Sequence, residues 1–138
     1  MKKSLVILLV ILLSHLLYAG AIISNFVAKK GTNQVELQWT ASKEKDLKEY
    51  QVFRSRDNIS YECVKCLQAE LETSGESSHT YTFIDNTVFK SPSERTFYYK
   101  LKMVENNGTV LEYDLVVQAT PAISAVRHTW GSIKAMFR

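Results

Sequence analysis

The chain has 138 residues, the length of one ordinary domain, and its 46% hydrophobic and 22% charged residues exclude a disordered or collagen-like chain. The formal charge of +3 resides at the two ends: with Lys2, Lys3, Arg127, Lys134 and Arg138 set aside from the 17 basic residues, residues 22–121 hold 12 basic against 14 acidic side chains. A near-neutral body gives no broad electrostatic footprint for DNA or RNA, which excludes nucleic acid as a partner.

The N-terminus, MKKSLVILLVILLSHLLYAG, places two lysines before an apolar run that ends in small residues at Ala19, Gly20 and Ala21. That layout predicts a secretory signal peptide over residues 1–21, cut after Ala19 or Ala21. An uncleaved anchor is the alternative. As a helix, the run from Leu5 to Ala19 would extend roughly 22 Å, against a hydrocarbon core of about 30 Å. Ser14 and His15 weaken it further. The expected location is outside the cytoplasm: extracellular, at the cell surface or periplasmic.

Short segments with period-two patterning follow. IISNFVA (22–28) precedes VELQWT (35–40), where Val35, Leu37 and Trp39 share a face. The charged stretch ASKEKDLKE leads into YQVFRS (50–55), and RDNIS turns the chain into YECVKCL (61–67). A polar stretch, ETSGESSH, precedes TYTFID (80–85). Then come TFYYKLKMV (96–104), with Tyr99, Leu101 and Met103 on one face, and VLEYDLVVQA (110–119). Asn107-Gly108 between the last two is a good hairpin turn, because both residues tolerate positive φ.

Seven short strands with turn signals every 8–15 residues predict an all-β fold, a seven-stranded antiparallel two-sheet sandwich of immunoglobulin-like type. The expected core includes Trp39, Tyr50, Val52, Phe83, Tyr99 and Leu101, joined by Phe26, Val35, Leu37, Met103 and Val117. Burying each large apolar side chain is worth ~1.5–3 kcal/mol, enough for such a domain to fold without metal or disulfide.

Antibody-type domains set a Trp on the third strand against an inter-sheet disulfide. Here Trp39 lies on the second strand, and neither the second nor the sixth carries a Cys. The motifs V-E-L-Q-W, E-Y-Q-V-F-R-S, Y-T-F-I-D, F-Y-Y-K-L-K-M-V and Y-D-L-V-V-Q-A-T-P, in that order, resemble the fibronectin type III family over residues 22–121. The resemblance implies that Trp39 is the first core aromatic and that Tyr99 makes the corner hydrogen bond pinning the crossover between the fifth and sixth strands. It also implies protein or glycan contact, often through the loops here formed by ASKEKDLKE and ENNGT; neither holds an Arg-Gly-Asp sequence. The stretch ETSGESSHT is longer and more polar than the family pattern.

Cys63-Val-Lys-Cys66 lies in a strand, whereas a redox-active C-x-x-C opens a helix in a βαβ setting. Strand residues three apart face opposite sides with Cα atoms roughly 10 Å apart, and a disulfide needs less than about 7 Å. A local bridge between Cys63 and Cys66 therefore requires a turn or bulge. Zinc would need two further ligands, and no second Cys pair or His-x₃₋₅-His is present. His79 beside Ser78 reads as a solvated loop residue, as do the charges of Lys43 to Glu49. Asn58-Ile-Ser60 and Asn107-Gly-Thr109 fit the glycosylation acceptor pattern. The sequence implies no catalytic residue, no metal and no cofactor, and hence no enzyme.

The tail, residues 122–138, is basic and amphipathic. At helical spacing Val126, Trp130, Ile133 and Phe137 form one apolar stripe, and Arg127, Lys134 and Arg138 lie on the neighbouring face. A helix this short is marginal alone in water. It docks on its own sandwich or stays disordered, binds an envelope or extracellular protein through Trp130 and Phe137, or lies on an anionic membrane surface. An extended tail adding a strand to a neighbour's sheet is also allowed. The expected function is a non-enzymatic binding module whose tail makes a specific contact through Arg127, Trp130, Ile133, Lys134, Phe137 and Arg138. The alternative is a structural subunit assembling by strand or tail exchange. Ligand and oligomeric state stay open.

Overall fold

The computed structural model describes residues 21–70, 78–90, 95–122, 133, 134 and 136. Eight strands appear among them: β1 (Ile22–Lys30), β2 (Val35–Ser42), β3 (Leu47–Ser55), β4 (Tyr61–Gln68), β5 (His79–Asp85), β6 (Phe97–Glu105), β7 (Val110–Glu112) and β8 (Val117–Ala119). A 3-10 turn, Thr87–Lys90, links β5 towards β6. The strands form two antiparallel sheets, one ordered β1-β2-β5 and the other β4-β3-β6-β7, with β8 also paired to β6. The all-β sandwich expected from the patterning is the observed fold.

The alternation explains the layers. In β2, Val35, Leu37, Trp39 and Ala41 are buried and the residues between them are half-exposed. Tyr50 and Val52 from β3, and Phe97, Tyr99, Leu101 and Met103 from β6, face them from the other sheet. The Trp39 indole stacks on Tyr81 (centroids 5.4 Å apart) and meets Tyr50 and Phe26 edge-on at 5.5 and 6.4 Å. These offset and T-shaped contacts are the ones aromatic quadrupoles favour. Phe83 shares the inward face of β5 with Tyr81 and Asp85 but is only half-buried, against the margin of this cluster.

Two bulges alter the period. In β1 the register shifts between Ser24 and Val27, with Asn25 at φ 56°, so that Ile23 and Phe26, three apart, both point inward. In β4, Val52 pairs with Lys65 but Phe53 pairs with Cys63, which leaves Val64 as the extra residue.

The single last strand expected over 110–119 is two strands. Tyr113 N still donates to Leu101 O (2.9 Å), and pairing resumes at Tyr99 with Val117. The last strand thus takes four steps where β6 takes two, and the surplus leaves Asp114 and Leu115 exposed. The preceding hairpin also differs from a two-residue turn. Only Gly108 has positive φ (88°); its N–H donates to Glu105 O, while Asn107 Oδ1 accepts Thr109 N at 2.7 Å. Beyond β8 the chain stays attached as far as Ala122, which bridges Thr32 and exchanges hydrogen bonds with Asn33 N and Gly31 O.

Candidate functional site

Two polar clusters close the sandwich interior. At one end Arg54, from the inward face of β3, is 7% exposed. It donates through Nη1 to Asp85 Oδ2 (2.9 Å) and Thr87 Oγ1 (2.6 Å), and through Nη2 to Glu62 Oε1 (2.5 Å). Asp85, 1% exposed, also accepts Tyr99 Oη at 3.0 Å, and Thr87 N and Oγ1. Phe97 lies beneath the guanidinium, 5.7 Å from its carbon to the ring centre. Desolvation opposes the Arg54 charge, but Glu62 and Asp85 outweigh it and hold the guanidinium above its ordinary pKa. Tyr99 thus ties the end of β5 to β6, the crossover its resemblance assigned to it, with a carboxylate as acceptor.

At the other end Glu44 is 2% exposed. Its Oε1 accepts Tyr50 Oη (2.5 Å) and Tyr81 Oη (2.7 Å), and its Oε2 lies 2.8 Å from His79 Nδ1. Glu70 N in turn donates to Tyr81 Oη at 2.8 Å, and Glu70 Oε2 stands 3.7 Å from His79 Nε2. Burial pushes the Tyr81 phenol well above its usual range. The sequence reading of Lys43 to Glu49 as a solvated loop, and of His79 as a loop residue, is corrected here: Glu44 is a buried acceptor and His79 opens β5 beside it. The signal missed was the pair of tyrosines at inward positions, Tyr50 and Tyr81, whose hydroxyls need partners once buried.

The outer face of the larger sheet faces water. Phe53 and Tyr61 lie on it under two cations, with Lys102 Nζ 4.8 Å from the Phe53 ring centre and Lys100 Nζ 4.7 Å from that of Tyr61. Lys100 and Lys102 also reach Glu112, at 2.9 and 3.3 Å respectively. The hydrogen bond from Lys100 holds the Glu112 carboxyl below its ordinary range. Cys63 and Cys66 are exposed on the same face as free thiols, with Sγ atoms 3.9 Å apart.

Of the expected contact residues in the tail, Arg127, Trp130, Phe137 and Arg138 lie outside the described residues, as do residues 1–20 of the signal predicted over 1–21. Ile133 and Lys134 are described: both are helical and exposed, as is Met136. Ile133 is 38% and Met136 82% exposed. The expected core residues Trp39, Tyr50, Val52, Tyr99 and Leu101 are fully buried. Among the described residues no group of three or more His, Cys, Asp or Glu side chains is gathered to hold a metal ion. No described helix is long and apolar enough to cross a membrane.

No protein-family model matches the chain, and no curated protein matches it. Solved structures do. A pectate lyase from Erwinia chrysanthemi, crystallised with tetragalacturonic acid, is similar over 73% of this chain at 17% identity and a TM-score of 0.51. OgpA from Akkermansia muciniphila is similar over 75% at 14% identity and a TM-score of 0.51. A β-1,2-glucanase from Parabacteroides distasonis aligns over 73% at 22% identity with a TM-score of 0.49. The chain spans 28%, 28% and 13% of those chains respectively, and at these identities the first two likenesses are of fold alone.

Proposed function

We propose that this chain is an exported, non-enzymatic interaction module of the fibronectin type III kind, and that its C-terminal segment makes the specific contact, with a protein of the envelope or extracellular space. The observation that carries the reading is the exposure of Ile133 and Met136, two apolar helical side chains beyond a sandwich whose interior is already filled. Apolar side chains presented together with a cation, Lys134, suit a groove on a partner better than water.

The resemblance is supported by Trp39 at the centre of the aromatic cluster and Tyr99 at the β5–β6 crossover. The buried ionisable groups, Glu44, Arg54 and Asp85, are bonded to neighbours that hold the two sheets together, which favours a recognition role over a reaction.

The test is the Trp130→Ala variant, read in two ways. The proposal expects thermal stability nearly unchanged and retention at the envelope reduced. A large loss of stability would instead make the tail a part of the fold.

A further inference from the structure

A period-two strand cannot bring residues three apart onto one side. β4 does so because Val64 is the extra residue of a bulge: Cys63 pairs with Phe53 and Cys66 with Gln51, both outward positions of β3, so the two thiols share the water-facing side of the sheet. Their sulfurs touch at 3.9 Å, and the Cys63 thiol also lies 3.8 Å from the Lys65 carbonyl oxygen inside the same bulge. β4 is the edge of its sheet, so neither thiol is screened by a further strand. The bulge is thus the local turn that a bridge between these residues requires.

We propose that Cys63 and Cys66 are a modification site that closes to an intrastrand disulfide under a disulfide oxidant such as oxidised glutathione. Either exposed thiol can open the exchange, and Cys63 is taken as the first. The Cys63 thiolate attacks one sulfur of the oxidant, whose S–S bond breaks and releases one thiolate. The Cys66 sulfur then attacks Sγ of Cys63 in the mixed disulfide and expels the second thiolate. Two electrons pass to the oxidant, which leaves as two thiols carrying the two cysteine protons. Closure needs the sulfurs to approach from 3.9 Å to about 2.0 Å, a movement within reach of χ1 rotations at an exposed edge. The product is exposed and confined to four residues of one strand, so it is a reducible bond rather than a buried staple. It would fix the bulge at Val64, and a fixed bulge disfavours pairing of the β4 edge with another strand. The inference does not depend on the role of the C-terminal segment.

The experiment treats the reduced full-length protein with oxidised glutathione and weighs the intact product. The wild type is expected to lose two hydrogens and carry no adduct. Cys63→Ser and Cys66→Ser, each lacking the second thiol, are expected to stop at a stable single glutathione adduct. Both thiols are exposed, so both variants should unfold at the wild-type midpoint. Wild-type protein that accumulates glutathione adducts, or that forms disulfide-linked dimers in place of the internal bond, would overturn the proposal.

Discussion

The Tyr99 hydroxyl and Arg54 Nη1 donate to the same oxygen, Oδ2 of Asp85, at 3.0 and 2.9 Å. One buried carboxylate therefore joins β3, β5 and β6, and so ties the two sheets together. Removing it leaves a guanidinium inside the protein with only Glu62 and Thr87. Asp85→Ala should cost about 3–5 kcal/mol, while Tyr99→Phe, which leaves the ion pair in place, should cost about 1.5–3 kcal/mol. Denaturant midpoints with an unchanged slope would check both.

Tyr81 and Tyr99 give a pH dependence. Burial, the largest cause for each, raises both phenols well above their ordinary value. Each therefore contributes stability that is fully present below the unfolded value of about 10 and is lost as pH rises beyond it. The domain should unfold in strong alkali, with these two phenolates appearing only as it does so. A titration in which every tyrosine ionises near its ordinary pKa while the fold persists would be contrary to this.

Asp57 acts in the opposite direction. It accepts from Ser55 Oγ (2.7 Å), Ile59 N (2.9 Å) and Ser60 N (2.8 Å), and these bonds hold its carboxyl far below the usual range. That contribution is present above the unfolded pKa of about 3.9 and is lost as pH falls through the folded one. In Asp57→Ala the β3–β4 turn should open first, seen as faster amide exchange at Ile59 and Ser60 with core exchange unchanged.

Glu44 is the acceptor for two buried hydroxyls. Glu44→Ala should cost about 3 kcal/mol, since hydrogen bonds to a charged group are worth about 1.5–3 kcal/mol each and both tyrosine hydroxyls would lose this acceptor. Trp39→Ala, which empties the centre of the core, should cost ~3–5 kcal/mol. Thermal or denaturant unfolding measures both.

The architecture was legible because the alternation of Val35, Leu37 and Trp39, or of Tyr99, Leu101 and Met103, is dictated by a face that must be buried. The polar clusters were not. Glu44 and His79 lie 35 residues apart in sequence, and a glutamate within a charged stretch looks the same whether it faces water or a buried tyrosine. Phe83 shows another limit. Periodicity assigns it a side of β5 but not how far the opposite sheet extends over it, so Tyr81, on the same side, is the more deeply buried. The bulge at Val64 carries no Gly or Pro to mark it, so nothing in C-V-K-C announced that both thiols share a side.

The functional reading of the tail turns on where the protein resides with and without it. Pairing with the sandwich reaches Ala122, so a chain ending there keeps its contacts with Gly31, Thr32 and Asn33. Fractionating cells that express this shorter chain beside the full one separates the domain from its proposed contact. Retention of only the full-length protein at the envelope is the expected result. Both forms appearing in the same soluble exported fraction would contradict it.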